Sequence, residues 1–178
     1  MIQWIAQGIG AIGSALAIGS FQLRGRRLFL AQTIAAVFFT VHFCILGAFA
    51  GMAQNGLGIV RNALLSVEGK KWASHPAWFW GLNGAYLVCG VIFWQNWLSL
   101  LPVLAMIVST AAMWTKKGKI IRITQLFCIS PLWLTYNISA GSIPCVLTEL
   151  FNMTSVIVSL VRFGWKGLDL PAEPAKAE

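Results

Sequence analysis

Residues 115–122 read Thr115-Lys116-Lys117-Gly118-Lys119-Ile120-Ile121-Arg122, a basic knot between two long apolar stretches, and its reading decides the fold. The same alternation recurs outward from it on both sides. Lys70 and Lys71 interrupt the chain upstream, and Arg24, Arg26 and Arg27 do so again nearer the N-terminus. Arg162, Lys166 and Lys176 close the chain downstream. The intervening connections, Phe49 to Gln54, Gln95 to Trp97 and Ser139 to Ser142, carry no charge. Of the 13 Lys and Arg, Arg61 alone falls outside these clusters. Loops that alternate basic and neutral are the positive-inside pattern of a polytopic membrane protein. With the first, third and fifth loops basic, the N-terminus is expected outside and the C-terminus in the cytoplasm.

Composition agrees. The 178 residues are 58% hydrophobic and 10% charged, with mean hydropathy +0.75, whereas soluble domains carry about a quarter charged residues. Seven crossings are expected, at about 3–22, 28–49, 53–67, 77–95, 98–115, 119–138 and 143–163. The runs do not alternate as strands of a closed barrel do, so the class is all-α. The net charge of +8 reads as basic loops facing anionic lipid, and no nucleic-acid partner is expected. The first segment lacks a basic leader and an A-x-A site, so it reads as a retained helix. Cys44, Cys89, Cys128 and Cys145 form no CxxC pair and read as packing residues. A Cys44–Cys145 bridge near the outer face is conceivable, without support from spacing alone. The tail 164–178 is rich in Pro, Ala and Glu and is expected to be a disordered cytoplasmic segment.

The two halves look alike. Gln32 and Gln125 stand 93 residues apart, and Gly47 and Gly141 stand 94 apart. Basic loops enter helices two and six on the same side, so the units are parallel. Two parallel three-helix repeats, about 3–67 and 98–163, require an odd linking helix, about 77–95. This 3+1+3 plan within a single membrane domain, 1–163, is the layout of sugar-efflux carriers of the SWEET kind.

Several motifs are also familiar. Ala6-Gln7-Gly8, Val41-His42-Phe43 with Leu46-Gly47, and Asn55 followed by Arg61 resemble the bacterial inner-membrane YgjV family. So do Leu101-Pro102-Val103, Ser109-Thr110-Ala111, Asn137 with Gly141-Ser142-Ile143, and Glu149 and Arg162. The resemblance implies a multi-pass protein of the bacterial inner membrane and carries no activity. Its layout is similar to the PQ-loop and SWEET superfamily, which holds solute carriers and also receptors and regulators. Where that superfamily has Pro-Gln at the end of helix one, this chain has Phe21-Gln22. Pro102 and Pro131 in helices five and six have no counterparts in helices one and two. A helix-three Asn lines the substrate site of those carriers; the resemblance gives that place to Asn55, with Glu149 or Asn152 in the second half.

Arg61 and Glu149 are the charges expected well inside the hydrocarbon, with His42 the other ionisable group there. Unpaired, such residues cost at least a few kcal/mol, so they face a bundle interior. Counting 1.5 Å per residue puts Arg61 about 12 Å below the outer end of helix three and Glu149 and His42 about 9 Å deep. His42, Asn55, Arg61, Tyr136, Asn137 and Glu149 thus form one expected polar layer, with Asn152 and Trp133 as further candidate contacts. An Arg61–Glu149 structural pair with polar interhelical glue is the competing reading. Of the nine Trp, Trp4, Trp72, Trp78, Trp80, Trp94, Trp97, Trp114 and Trp165 read as interfacial anchors.

No HExxH, GxSxG or Walker loop is present, so no enzyme, cofactor or metal site is expected. The chain is expected to carry or facilitate passage of a small polar solute. A non-transporting sensor or assembly partner on the same scaffold is the alternative, and a homo-oligomer is compatible with both. A cavity around His42, Arg61 and Glu149 favours the carrier; a fully packed layer favours the alternative.

Overall fold

Basic residues that cannot enter hydrocarbon mark the helix ends, and the computed structural model follows that punctuation. It describes residues 1–20, 22–23, 26–67 and 70–167. Arg24, Phe21 and the tail beyond residue 167 therefore lie outside the described residues. Among the described residues the fold is all helical: α1 Ile2–Ser20, α2 Arg26–Ile45, α3 Phe49–Ser66 and α4 Pro76–Ile92 come first. A 3-10 turn, Trp97–Ser99, then leads into α5 Leu100–Trp114. Helix α6 is composite, with Gly118–Thr124, a π-helical turn Gln125–Ile129 and Ser130–Ser139 in succession. Helix α7 runs Ile143–Gly167 with a kink at Gly164, the first residue of the expected tail, where φ 67° and ψ 178° leave helical geometry.

Four segments are long and apolar enough by themselves to cross a membrane: Ile2–Ser20, Arg26–Ile45, Trp97–Trp114 and Ile143–Arg162. The other three are shorter, more polar or broken. Helix α3 buries Gln54, Arg61 and Asn62, α4 has 17 residues, and α6 contains the π turn. Gln54, Arg61, Asn62, Asn83, Ser130 and Asn137 of these segments are buried, and such inward polar residues lower a segment's mean hydropathy.

Helix α3 starts at Phe49, so Phe49 to Gln54, expected as a connection, are helical. The reason is a tight turn at Gly47, whose φ of 71° suits a residue without Cβ. Gly141 repeats it with φ 66°. The surrounding hydrogen bonds repeat as well. The amides of Leu46, Gly47 and Ala48 donate to the carbonyls of His42, Cys44 and Phe43. Ninety-four residues on, those of Ala140, Gly141 and Ser142 donate to Tyr136, Ile138 and Asn137.

The π turn at Gln125–Ile129 lies where the spacing between like residues passes from 93 to 94. A π turn bonds i to i+5 and so absorbs one extra residue; here the Ser130 amide donates to the Gln125 carbonyl. Pro131 follows at once. Proline has no N–H and clashes with the carbonyl four residues back, and the wider turn relieves that conflict.

Helix packing forms a closed order. Helix α1 packs on α2, α2 on α3, α3 on α5, α5 on α6, α6 on α7, and α7 returns to α1. Helix α4 packs on α3 and α5. Buried apolar side chains, among them Phe43, Tyr86, Met106 and Tyr136, fill the seams. Outward faces remain apolar, with Val91 and Val161 exposed, as a lipid-facing surface must be. Trp4, Trp80 and Trp97 are exposed at helix ends, whereas Trp114 is half-buried with its ring 5.7 Å from Phe79. All four cysteines are free.

Candidate functional site: a central cavity

A cavity of about 620 Å³ lies inside the six-helix order, and every helix but α4 contributes to its wall. Helix α3 supplies Asn55, Gly58, Arg61 and Asn62; α7 supplies Thr148, Glu149, Asn152 and Ser155. In the packing order α3 and α7 stand opposite one another, with two helices between them in either direction. Trp133, Asn137 and Gln125 come from α6, and Ser109 from α5.

Arg61 is buried, 7% exposed. Its Nε and Nη2 donate to Asn62 Oδ1 at 3.3 and 3.2 Å, and Nη1 donates to Ser109 Oγ at 3.0 Å. Nη1 also lies 3.9 Å from the Met106 sulfur. Glu149 Oε2 accepts from Ser130 Oγ at 2.6 Å and from Asn152 Nδ2 at 3.3 Å. Gln125 Nε2 in turn donates to Ser130 Oγ at 2.8 Å, across the π turn. The two opposite charges thus share one cavity, and each is held by neutral partners instead of by the other. The Arg61–Glu149 pair weighed from the sequence is not formed.

Helix starts explain why. Because α3 begins at Phe49 and α2 ends at Ile45, the expected single layer separates into levels. At 1.5 Å per residue, Asn55 and Glu149 lie about 9 Å from their helix starts, Arg61 about 18 Å, and His42 within a turn of its helix end.

His42 and Tyr136 do not line the cavity. His42 is fully buried; its Nδ1 lies 2.7 Å from the Ala6 carbonyl and its Nε2 2.6 Å from Ser142 Oγ. A carbonyl only accepts, so Nδ1 carries the proton, and Nε2 of the neutral ring accepts from the serine hydroxyl. Gly10 makes room for that ring, since a Cβ there would sit 2.7 Å from Nδ1. Tyr136 mirrors His42: its hydroxyl accepts from the Gly51 amide at 2.8 Å. It satisfies one of the free N–H groups at the start of α3, where Ala48 offers no side-chain cap. One side chain ties α2 to the start of α7, the other ties α6 to the start of α3.

Two glutamines complete the cross-bracing. Gln95 donates to the Gly47 carbonyl at 2.8 Å and accepts from the Phe49 amide at 3.0 Å. Gln7 does the same at the other turn, donating to the Gly141 carbonyl at 2.8 Å and accepting from the Ile143 amide at 3.2 Å.

The remaining candidates reach the cavity. Asn55 donates to the Gly51 carbonyl at 2.9 Å. Trp133 lies nearly parallel to Phe43 at 6.2 Å, with Tyr136 edge-on at 6.0 Å. Asn137 is 1% exposed, and its Oδ1, like that of Asn152, has no hydrogen-bond partner. Asn62, Ser109, Gln125 and Ser130 hold the charges and escaped sequence reading, because small polar residues in apolar helices are common as interhelical glue. Gln125 carried one usable signal, its match to Gln32, which also lines the cavity. Arg122, counted from the sequence in the basic cluster at the start of helix six, lines the cavity at its basic end and donates to Ser159 at 3.5 Å. Among the described residues no cluster of metal-ligating side chains occurs.

A family model described as a bacterial inner membrane protein, Imp-YgjV, matches residues 4–166 of the chain. The inner membrane protein YgjV of Escherichia coli (strain K12) is 30% identical over 176 residues, covering 98% of this chain and 92% of that protein. No solved structure matches the chain significantly.

Proposed function

The chain belongs to the YgjV family of bacterial inner membrane proteins, and from that premise we propose that it carries or facilitates passage of a small polar solute. The observation behind this reading is the 620 Å³ cavity with Arg61 on one wall and Glu149 on the opposite helix. Intramembrane charges are costly and are kept where they face a solute path or a proton site. A scaffold used only for assembly has no need to hold two of them around a void.

In this reading all seven helices cross the membrane, and α1–α3 and α5–α7 are parallel repeats about an axis along the membrane normal, with α4 as linker. The 94-residue displacement of the turn hydrogen bonds supports it. So do the reciprocal braces, His42 to Ser142 against Tyr136 to Gly51. Asn55, Arg61, Trp133, Asn137, Glu149 and Asn152 meet the solute, whereas His42 and Tyr136 hold the bundle. The basic clusters put the C-terminus in the cytoplasm and the N-terminus in the periplasm. An alkaline phosphatase fused to the C-terminus should therefore stay inactive, and strong activity there would reverse the orientation.

Transport itself is tested in liposomes containing the purified protein, subjected to hyperosmotic shock with sugars, polyols, amino acids or organic acids. At least one polar solute should reswell these vesicles faster than protein-free ones, and Ser155→Trp, which fills the cavity wall, should remove the difference. Equal rates for every solute would leave a sensor or assembly role.

A further inference from the structure

Building on the carrier reading, we infer that the cavity takes a small zwitterion, one molecule bearing both a carboxylate-like and an ammonium group. Its wall holds a guanidinium and a carboxylate on opposite helices, each held by neutral side chains. Both keep bonding capacity. A guanidinium has five N–H donors, and oxygen partners occupy three of them at Arg61. Both bonds to Glu149 land on Oε2, which leaves Oε1. Ser155, on the same helix as Glu149, lines the cavity as well and adds a hydroxyl acceptor. Together these suit an ammonium, which donates three bonds and accepts none.

The charges are also ordered along the axis. Both helices start at the same end of the bundle, where the two braced turns meet. Arg61 lies about 9 Å deeper than Glu149, from six residues at 1.5 Å each. Arg122 stands at the basic end of the same cavity. The positive end thus faces the basic loops and the negative end the braced turns, so a zwitterion enters with its anionic group toward the basic side. Phe43 and Trp133 give an apolar wall for the rest of the molecule. A sugar leaves both charges uncompensated, a simple anion leaves Glu149 so, and a simple cation leaves Arg61 so. Each mismatch strands a buried charge, which is how a site rejects the wrong ligand.

The test is a thermal-shift and calorimetric series on the detergent-solubilised full chain. The probes are 4-aminobutyrate, 6-aminohexanoate and 8-aminooctanoate, whose charges stand far enough apart to reach both groups, each beside its amide and N-acetyl form, together with glucose and citrate. At least one zwitterion should bind, and both of its capped forms should bind at least about a hundredfold more weakly, because each lacks a group the site is built to bond. Glu149→Gln should abolish the discrimination against the N-acetyl form, and Arg61→Met that against the amide. Should either variant fail to fold, the ligand series on the unaltered protein decides alone. Binding by glucose or citrate alone, or equal binding of capped and uncapped forms, overturns the zwitterion and leaves the carrier reading intact. No binding by any probe overturns the zwitterion as well, and the swelling assay then judges the carrier reading separately.

Discussion

At the scale of single residues, the polar groups divide by what they bond. His42 and Tyr136 lie off the cavity and spend polar atoms on other helices, whereas Arg61, Glu149 and Asn137 line it. This division predicts opposite mutational behaviour. Tyr136→Phe strands the Gly51 amide and should destabilise the protein by about 1–3 kcal/mol. His42→Ala removes two bonds and opens a void against Gly10, so its cost should be larger still. Thermal melts in detergent measure both, and any solute affinity of the folded fraction should stay unchanged. Asn137→Leu should do the reverse. It replaces an orphan amide oxygen with an apolar group of similar size, so stability should hold or rise while solute uptake falls. A large loss of stability in Asn137→Leu would mean that its amide is structural.

At the scale of elements, the composite helix α6 differs from α2 by the π turn at Gln125–Ile129. The turn carries one extra residue and sits directly before Pro131. Deleting Phe127, an exposed residue of that turn, should therefore be tolerated in a Pro131→Ala background. The turn reverts to α-helix, and Trp133 and Asn137 keep their directions. Deleting Ile34 from the regular helix α2 instead rotates every later residue by about 100°, the angle of one step at 3.6 residues per turn, and should unfold the bundle. With Pro131 retained, the Phe127 deletion leaves a proline in a helix interior and should cost about 3 kcal/mol more. Monodispersity on size-exclusion chromatography with thermal melts separates these cases, and equal damage from both deletions would refute the account of the turn.

At the scale of the whole molecule, closure of the helix order between α7 and α1 makes the cavity. The seam is polar: Thr148 Oγ1 donates to Ser14 Oγ at 2.7 Å, and Ser14 Oγ donates to the Pro144 carbonyl at 3.1 Å. With the four native cysteines replaced by alanine, Ser14→Cys and Thr148→Cys should cross-link under mild oxidation in membranes. Absence of the cross-link would open the order and remove one wall of the proposed site.

The sequence by itself determined the class, the number of helices and their ends to within a few residues. Basic residues are excluded from hydrocarbon and apolar runs from water, and both constraints act locally along the chain. The resemblance offered Glu149 or Asn152 as the second-half counterpart of Asn55; the equal depth of Asn55 and Glu149 came only with the start of α3 at Phe49. Only the tertiary structure decided which polar residues face the void. That Arg61 bonds Asn62 and Ser109 while Glu149 bonds Ser130 and Asn152 depends on which helices become neighbours. Helix order is set by packing between segments distant in the chain, and hydropathy carries no trace of it. The braces from His42, Tyr136, Gln7 and Gln95 were hidden for the same reason. In a list of residues a buried polar group that links helices looks the same as one that awaits a solute, and the partner across the seam tells them apart.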